Sequence, residues 1–481
     1  MLPTVTIDIG TTSVKLSCFD DESRLRSSER HRTPTIRDAW GEIYDLDALT
    51  RLITSFVRQL DAADRATVQR LSITGVGESG GLVHPDLSLA SPMILWHDQR
   101  GAGYLAPITS GEREEIYRIT GLPVNANYGL SKLAWALAKA GSAAAGAKWL
   151  NVAEYLAATM TGERWSERSF ASRTMALDLE HGTWSAKVCG LFGIDVDVFP
   201  QLRDAANGSP MTARFARETG LPAGVLVHTA GHDHMVGAIG AGLERGELLN
   251  STGTTEGLLI LRGRPSTDKR TEVAKLANGL ACAGPDYTLF ASIPTGGSAF
   301  ATLQSLLDLT GEQLTSRIDA LTTRYLRGDI DLERLPLVLP QFRGSPPPTK
   351  RAGALGVVAG IRSETTADDV ILACFLGMAM QFRDVLELFR LRPDRIKVIG
   401  PASSNPLWTQ LKADLLGTDL STSDFPEVVS RGAQALASNA TPSWEACQPQ
   451  ELRFDAARHR ELRDWSAQVR PTWEHLKAMP A

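Results

Sequence analysis

The chain has 481 residues, of which 43% are hydrophobic and 22% are charged, and its formal net charge is −5. A single hydrophobic core stops growing at about 250–300 residues, so this length predicts two domains. Lysine and arginine are scattered along the chain, which argues against a surface for nucleic acid or anionic lipid but not against a small anionic ligand.

The sequence shows no sign of a membrane anchor or of export. No stretch approaches the ~20 apolar residues of a membrane span, and the chain begins with a strand rather than a signal peptide. The five cysteines lie far apart and lack CxxC spacing, which argues against a disulfide framework or a zinc site. We therefore expect a cytoplasmic protein that binds neither nucleic acid nor a membrane.

The first half of the chain alternates predicted strands and helices. It opens with TVTIDIGTTSVKLSCFD (4–20), in which a turn of glycine, threonine and serine separates two strands. TVQRLSITGVG (67–77) predicts a buried strand, and MILWHDQRGAGYL (93–105) predicts a strand that leads into a helix. Helical periodicity follows in SKLAWALAKAG (131–141) and WLNVAEYLAATMTG (149–162). This alternation predicts an α/β fold.

The second half opens in the same way as the first. After a small-residue helix predicted at 230–246, ELLNSTGTTEGLLILRG (247–263) again places Gly-Thr-Thr between two apolar runs. We interpret the repeated turn as the trace of a duplicated domain, with coincidence as the alternative. Later elements are a predicted strand at 395–400 and predicted helices at 368–389, 405–417 and 427–438.

A turn of glycine and hydroxyl residues can bind phosphate, because its backbone N–H groups converge on an anion and its hydroxyls add donors. Two such turns, one per domain, could hold a polyphosphate from both sides of a cleft. Asp8, before the first turn, could hold a hydrated Mg²⁺, and Lys15, after it, could reach a phosphate. An ordinary hairpin turn is the alternative for either copy alone.

Two other nucleotide signatures are disfavoured. GVGESG (75–80) fits the dinucleotide fingerprint, but the segment that follows, GLVHPDLSLASP, predicts strand, turn and loop where that fingerprint requires a helix. A dehydrogenase is therefore disfavoured. No GxxxxGK[ST] motif occurs, which excludes a Walker-type P-loop.

GHDH (231–234) combines two histidines with an aspartate at the start of the small-residue helix. The His-x-His pair is weak support for a metal site without further ligands. The helix dipole favours the carboxylate form of Asp233, which could orient and deprotonate an attacking hydroxyl. An ordinary N-cap aspartate is the alternative.

Together, these segments resemble the FGGY family of carbohydrate kinases, whose members include glycerol kinase, xylulokinase and gluconate kinase. The resemblance covers nearly the whole chain in the family's order, which makes it more specific than any single motif. The segments that carry it are DIGTTSVK (8–15), WHDQR (96–100), TGL (120–122), KLAW (132–135), GHD (231–233), STGTT (251–255), PTGGSAF (294–300), the stretch ending at Ile361, and NPLWTQLKADLLG (405–417).

The resemblance implies an α/β fold of two actin-like (ribonuclease H-like) ATPase domains flanking a deep cleft. It implies a sugar-binding N-terminal domain at 1–245, which carries the first phosphate turn, and an ATP-binding domain at 246–440. We expect residues 441–481 to form a charged helical tail on the surface. A homodimer is a further expectation.

The resemblance also implies roles for individual residues. Asp233 matches the catalytic base, and Asp233 and Asp8 would hold Mg²⁺. The ATP-binding positions would be Gly10, Thr11, Thr12, Ser13, Lys15, Gly253, Thr254, Thr255, Gly296, Gly297, Gly400, Pro401, Ala402 and Asn405. Pro401 and Ala402 replace glycines that are usual in the family, and since proline lacks an N–H, nucleotide affinity is in question.

On the substrate side, the matching positions are Glu78, Ser79, Gly80, Trp96, Asp98, Asn127, Asp233 and His234. Gly80 lacks a large side chain, which predicts room for a bulkier substrate. Glu78 would repel a carboxylate, which favours a neutral acceptor such as a pentulose-like ketose or a polyol. The alternatives are a kinase for an aldonate such as gluconate, and a catalytically degenerate nucleotide-binding protein of the same fold.

Overall fold

The computed structural model describes residues 1–479. Its N-terminal half is built on a six-stranded sheet with the strand order β5-β6-β4-β1-β2-β3. β1, β4 and β6 run parallel, and β2 is antiparallel to both β1 and β3. The strands are β1 (Thr4–Ile9), β2 (Ser13–Phe19), β3 (Leu25–Arg32), β4 (Arg70–Gly75), β5 (Ser209–Pro210) and β6 (Leu226–His232).

The C-terminal half is built on a seven-stranded sheet with the strand order β9-β10-β8-β7-β11-β12-β13. The β7–β8 hairpin corresponds to β1–β2, and the parallel strands β11 and β12 correspond to β4 and β6. The two sheets thus share one topology, as a duplicated domain predicts. The strands are β7 (Leu248–Thr252), β8 (Glu256–Arg262), β9 (Ala277–Leu280), β10 (Tyr287–Ile293), β11 (Ile396–Ile399), β12 (Leu420–Thr422) and β13 (Gln450–Leu452).

Helices and short hairpins surround the two sheets. The α-helices of the described residues are α1 (Leu46–Gln59), α2 (Ala62–Thr67), α3 (Ser110–Thr120), α4 (Gly129–Ala140), α5 (Val152–Thr161), α6 (Arg168–Ala171), α7 (Ala186–Leu191), α8 (Ala213–Thr219), α9 (Asp233–Gly240), α10 (Lys269–Val273), α11 (Ser298–Leu307), α12 (Gly311–Arg327), α13 (Ala367–Leu388), α14 (Pro406–Leu416), α15 (Val428–Ala437) and α16 (Ala456–Ala478). Two-stranded sheets pair Thr35–Arg37 with Glu42–Tyr44, Gly81–Val83 with Lys148–Leu150, Trp165–Glu167 with Gln201–Arg203, Leu177–Asp178 with Thr183–Trp184, and Leu337–Leu339 with Val357–Ala359.

The central strand β1 is buried on both sides, and its two faces differ chemically. Ile7 and its apolar neighbours on one face share a core with Phe56 of α1. The other face carries small polar residues, including Thr6 and, on the neighbouring strand, Ser72. Helix α15 covers this polar face, and the hydroxyl of Ser72 donates to the carbonyl of Ala433 at 2.8 Å. A helix from the C-terminal part of the chain therefore packs directly against the N-terminal sheet.

Helices α9 and α15 cross in backbone contact. A Cβ atom at Gly240 would lie 2.0 Å from the carbonyl oxygen of Val428, and one at Gly432 would lie 2.1 Å from that of Val236. Only glycine allows this separation, because any side chain at either position would overlap the facing backbone. The crossing fixes the distance between the N-terminal ends of the two helices, which carry Asp233 and Glu427.

Residues 441–479 differ from the surface tail that we expected. Strand β13 joins the edge of the C-terminal sheet, and α16 buries Leu462, Trp465 and Trp473 in the core beneath α13 and α14. The charged side chains of α16 had suggested a helix on the surface, but its buried tryptophans make the segment part of the C-terminal domain.

The remaining structural expectations concern membranes and cysteines. No helix among residues 1–479 is long and apolar enough to cross a membrane. All five cysteines are free and buried.

Candidate active site

The first Gly-Thr-Thr turn connects β1 to β2. The Gly10 N–H donates to the carbonyl of Ser13 at 3.0 Å, and the hydroxyl of Thr33 donates to the carbonyl of Gly10 at 2.8 Å. These bonds close the turn from behind and leave Thr11 and Thr12 exposed at its tip. Exposed backbone and hydroxyl groups at such a tip are available to an anion.

The second turn connects β7 to β8 and is combined with the predicted Gly296-Gly297 segment. The Gly297 N–H donates to the carbonyl of Gly253 at 2.7 Å, and the Gly296 N–H donates to that of Thr254 at 3.2 Å. A Cβ at Gly296 would lie 2.6 Å from the carbonyl carbon of Thr255. The two glycines are therefore required for this contact, which joins both predicted segments into one surface.

The loop at 400–405 lies against the second turn. Gly400 has a φ of 94°, and a Cβ there would lie 2.0 Å from the carbonyl oxygen of Thr252. Pro401 begins a short 3₁₀ helix, a position at which the missing N–H has no helical partner to lose. The Ala402 N–H donates to the Thr252 hydroxyl at 3.1 Å. Proline is thus accommodated without disrupting the loop. Asn405, at the end of this loop, uses its side chain to cap α14.

Asp233 is the first residue of α9, directly after β6. Its Oδ1 accepts a hydrogen bond from the His234 N–H at 2.7 Å, and its carboxylate is half-buried. The pKa of Asp233 is raised to about 7, mainly by burial and in part by the nearby charge of Glu78. A carboxylate of this pKa is suited to accept a proton near neutral pH.

His234 connects the base to the second turn. Its Nδ1 lies 2.8 Å from the hydroxyl of Ser251, at the end of β7, and its ring packs 4.6 Å from that of Phe290 between ring centroids. Burial lowers the pKa of His234 to about 4, so the ring is neutral at pH 7. His234, which we predicted to contact the substrate, thus also connects the N-terminal half to the second turn through Nδ1.

Asp8 lies at the end of β1 beside the first turn. Its Oδ1 is buried without a hydrogen-bond partner, and its Oδ2 lies 3.9 Å from Nζ of Lys15. Burial raises the pKa of Asp8 to about 6, and the charge of Asp233 contributes to the increase. The two carboxylates therefore lie near each other, although Asp8 is in the first strand of the N-terminal half and Asp233 begins a helix near its end.

The predicted substrate loops lie beside this carboxylate pair. Glu78 is paired with Arg173, whose Nη2 and Nε lie 2.6 and 2.9 Å from its Oε1. Trp96 donates from its indole N–H to the hydroxyl of Thr11 at 2.9 Å, which connects a substrate loop to the first phosphate turn. Asn127 accepts a hydrogen bond from the side chain of Gln99.

Three other predicted substrate residues have contacts within the protein. The hydroxyl of Ser79 accepts a hydrogen bond from Asn151 at 3.0 Å and is buried. A Cβ at Gly80 would lie 2.3 Å from the indole of Trp149, so the expected room for a bulkier substrate is already filled by that ring. Both carboxylate oxygens of Asp98 accept hydrogen bonds from Arg100, at 2.7 to 2.9 Å.

Family profiles match almost the whole chain. The profile of the FGGY family of carbohydrate kinases, N-terminal domain, matches residues 4–240, and that of the C-terminal domain matches residues 248–441. The chain belongs to the FGGY family of carbohydrate kinases. It is therefore a phosphotransferase, and its fold is the two-domain actin-like fold of these kinases.

Individual relatives extend the similarity along the full length of this kinase. It is 26% identical to a xylulose kinase of Bacillus subtilis, with 94% of this chain and 91% of the other covered. It is 25% identical to a glycerol kinase of Deinococcus radiodurans, with coverages of 92% and 89%. Among solved structures, a xylulose kinase from Lactobacillus acidophilus has a TM-score of 0.87 at 18% identity and 99% coverage of both chains.

The carboxylate pair of the kinase fits Mg²⁺ bound together with phosphates. Protein carboxylates usually supply one or two ligands to Mg²⁺ in such sites, and substrate phosphates and water supply the rest. Asp8 offers a buried oxygen without a partner, and Asp233 is its neighbour. No group of three or more His, Cys, Asp or Glu residues within 1–479 could hold a metal ion without such help.

Two charged residues at the site were not predicted from the sequence. Arg173 neutralises Glu78 and lies 5.3 Å from the ring centroid of Tyr128. Glu427, just before α15, lies 3.3 Å from Nζ of Lys15 and so shares that lysine with Asp8. Neither residue stands in a motif, and each meets its partner only through the fold.

A buried glutamate supports strand β6, which directly precedes Asp233. Oε2 of Glu167 accepts hydrogen bonds from the backbone of Ser169 at 2.8 Å and of Phe170 at 3.1 Å, and the Ser169 hydroxyl in turn accepts from the His232 N–H at 3.0 Å. Burial raises the pKa of Glu167 from its ordinary 4.5 to about 8.

This pKa predicts that the kinase loses stability as pH rises. The folded protein keeps a proton on Glu167 that the unfolded chain releases above pH 4.5. The contribution of this group to the free energy of unfolding is therefore complete below pH 4.5 and is lost as the pH rises to 8. Glu167→Gln keeps the acceptor oxygen and should remove a decline of about 1.4 kcal/mol per pH unit in this window. Urea unfolding at pH 5.5 and 7.5 measures the difference, with the exposed Glu22→Gln as control; equal slopes for wild type and Glu167→Gln would contradict it.

Proposed function

We propose that this kinase transfers the γ-phosphoryl group of ATP to a hydroxyl of a small sugar or polyol, with Asp233 as general base. The observation that carries the proposal is the position of Asp233. It begins α9 directly after β6, and the strand register places Thr74 of β4 between Asp8 of β1 and Gly231 of β6; the adjacent His234 bonds to Ser251 beside the second turn. A hydroxyl held near Asp233 is thereby directed toward the terminal phosphate that two such turns would hold.

In the proposed reaction, the acceptor oxygen attacks the γ-phosphorus while its proton passes to Asp233 and the bond to the β–γ bridging oxygen breaks, releasing ADP. Donors at the tips of the two turns and Lys15 stabilise charge on the transferring group. Mg²⁺, held by Asp8 and Asp233 when bound with the phosphates, would neutralise part of that charge. Closure of the cleft excludes water, which would otherwise compete as the acceptor.

A pentulose-like ketose is the favoured acceptor, in line with the Bacillus subtilis xylulose kinase among the relatives, while the glycerol kinases among them keep a polyol as an alternative. The sequence argument against an aldonate no longer holds, because Arg173 matches the charge of Glu78. Nη1 of Arg173 is buried without a hydrogen-bond partner, which specifically favours an acidic sugar as the second candidate. A gluconate kinase from Lactobacillus acidophilus is also similar in fold, with a TM-score of 0.87 at 18% identity and coverages of 99% of this chain and 98% of the other.

ADP release measured against D-xylulose, D-ribulose, glycerol and D-gluconate tests the proposal. The expected result is turnover well above the rate with water alone for one acceptor, with D-xylulose or D-ribulose preferred. Preference for D-gluconate would establish the second candidate. ATP binding without acceptor-dependent ADP release from any of the four would overturn the proposal and support a degenerate nucleotide-binding protein.

A further inference from the structure

Lys132 of α4 is completely buried, and its ammonium group bonds to three backbone carbonyls. Nζ donates to Trp96 at 2.7 Å, to Glu78 at 3.1 Å and to Asn127. An ammonium group has three N–H donors, so this arrangement uses all of them.

The three carbonyls belong to three different loops. Glu78 follows β4, Trp96 follows the bridge between Ile94 and Gly80, and Asn127 precedes α4. Each loop carries a residue that we place beside the acceptor. Lys132 is therefore the shared attachment point of three chain segments that together form one wall of the proposed acceptor site.

Lys132 also differs from two other buried lysines, each of which has a carboxylate partner. Lys397 lies 2.7 Å from the carboxylate of Glu247, and Lys412 is paired with Glu256. The hydrogen bonds of Lys132 within residues 1–479 go to carbonyl oxygens, which only accept and so favour the protonated amine, whereas burial lowers its pKa. A buried ammonium group without a carboxylate partner is costly, so an apolar side chain would serve simple packing better.

We propose that Lys132 is a positioning residue for the acceptor: its ammonium group fixes the loops at Glu78, Trp96 and Asn127 relative to one another. The proposal rests on the proposed function in assigning these loops to the acceptor. The positioning itself is a property of the structure that can be measured without substrate.

Hydrogen exchange of the full chain without ligands tests the positioning. Lys132→Met keeps an unbranched apolar stem but removes the three hydrogen bonds, so amides in 76–80, 95–99 and 125–128 should exchange about tenfold faster or more. Lys397→Met is the matched control, since it removes a buried lysine that also bonds to a carbonyl, that of Gly242. The control should leave the three loops at wild-type rates. Faster exchange confined to α4, or unchanged rates in any two loops, would overturn the proposal.

Steady-state kinetics then test the consequence for the acceptor. With D-xylulose, or with D-gluconate if that is the panel's best acceptor, Lys132→Met should raise the acceptor KM about tenfold or more and change the ATP KM less than twofold. Equal increases in both KM values would show a general structural role and overturn the proposal. If no panel compound is phosphorylated, the proposed function fails while the exchange experiment still decides the positioning. Lys132→Gln, which keeps two N–H donors, replaces the methionine variant if that variant does not fold.

Discussion

Asp233→Asn is expected to lower kcat by about 10³-fold, since a positioned general base contributes roughly 10²–10⁴-fold. The amide keeps the size of the side chain and an oxygen that can accept from the His234 N–H. It cannot take a proton from the acceptor, and it also removes one of the two negative charges available to Mg²⁺. ATP affinity should change only a few-fold, because the two turns and the loop at Gly400 are untouched.

The measurement combines acceptor-dependent ADP release with calorimetric binding of a non-hydrolysable ATP analogue. Asp86→Asn, in an exposed turn of the same domain, is the matched control and should behave as wild type. A fully active Asp233→Asn variant would refute the role assigned to the base. A variant that loses nucleotide binding in parallel with kcat would show that Asp233 acts mainly through the metal and its phosphates.

Gly432→Ala is expected to lower the free energy of unfolding by about 3 kcal/mol, the upper part of the range for overpacking a tight contact. The new Cβ would lie 2.1 Å from the carbonyl oxygen of Val236 and 2.8 Å from the nitrogen of Gly240. Both are backbone atoms, so no side-chain rotation can relieve the overlap. Helices α9 and α15 must move apart, and the groups at their N-terminal ends, Asp233 and Glu427, must move with them.

This variant should therefore lose activity as well as stability, with kcat reduced even at temperatures at which the protein remains folded. Urea unfolding and kinetics on the same preparation measure the two effects. Gly190→Ala is the matched control, because no atom lies within 4 Å of the added Cβ on α7. Helical propensity predicts that the control is neutral or slightly more stable. Equal stability of Gly432→Ala and wild type would show that the crossing can relax.

The fold and the two glycine-threonine turns could be predicted because their signals are local. A glycine-threonine turn between two apolar runs specifies its own hairpin, and its repetition indicated the duplicated sheet. On the acceptor side, side-chain shape and charge depend on tertiary contacts. In the sequence, Gly80 predicted open space, but the indole of Trp149 lies beside it. Glu78 predicted a repulsive charge, but Arg173 is paired with it.

Lys132 lies in the KLAW segment that carries part of the family resemblance, but the segment does not show what the lysine contacts. Within SKLAWALAKAG it resembles any lysine on a helix, for which exposure to solvent is the ordinary expectation. Its partners are main-chain oxygens, which every residue possesses, so no motif marks them. By contrast, the Asp98–Arg100 pair lies two residues apart and could have been recognised as a local ion pair before the structure was known.

The position of α15 has a consequence for how the protein is made. The polar face of the N-terminal sheet, with Ser72 at its centre, is covered by a helix that ends at Ala437. During synthesis, the ribosome must therefore translate most of the chain before this face is shielded from water. Until α15 arrives, water takes the place of the Ala433 carbonyl as the acceptor for the Ser72 hydroxyl, so the packing between the N-terminal sheet and α15 forms late in synthesis.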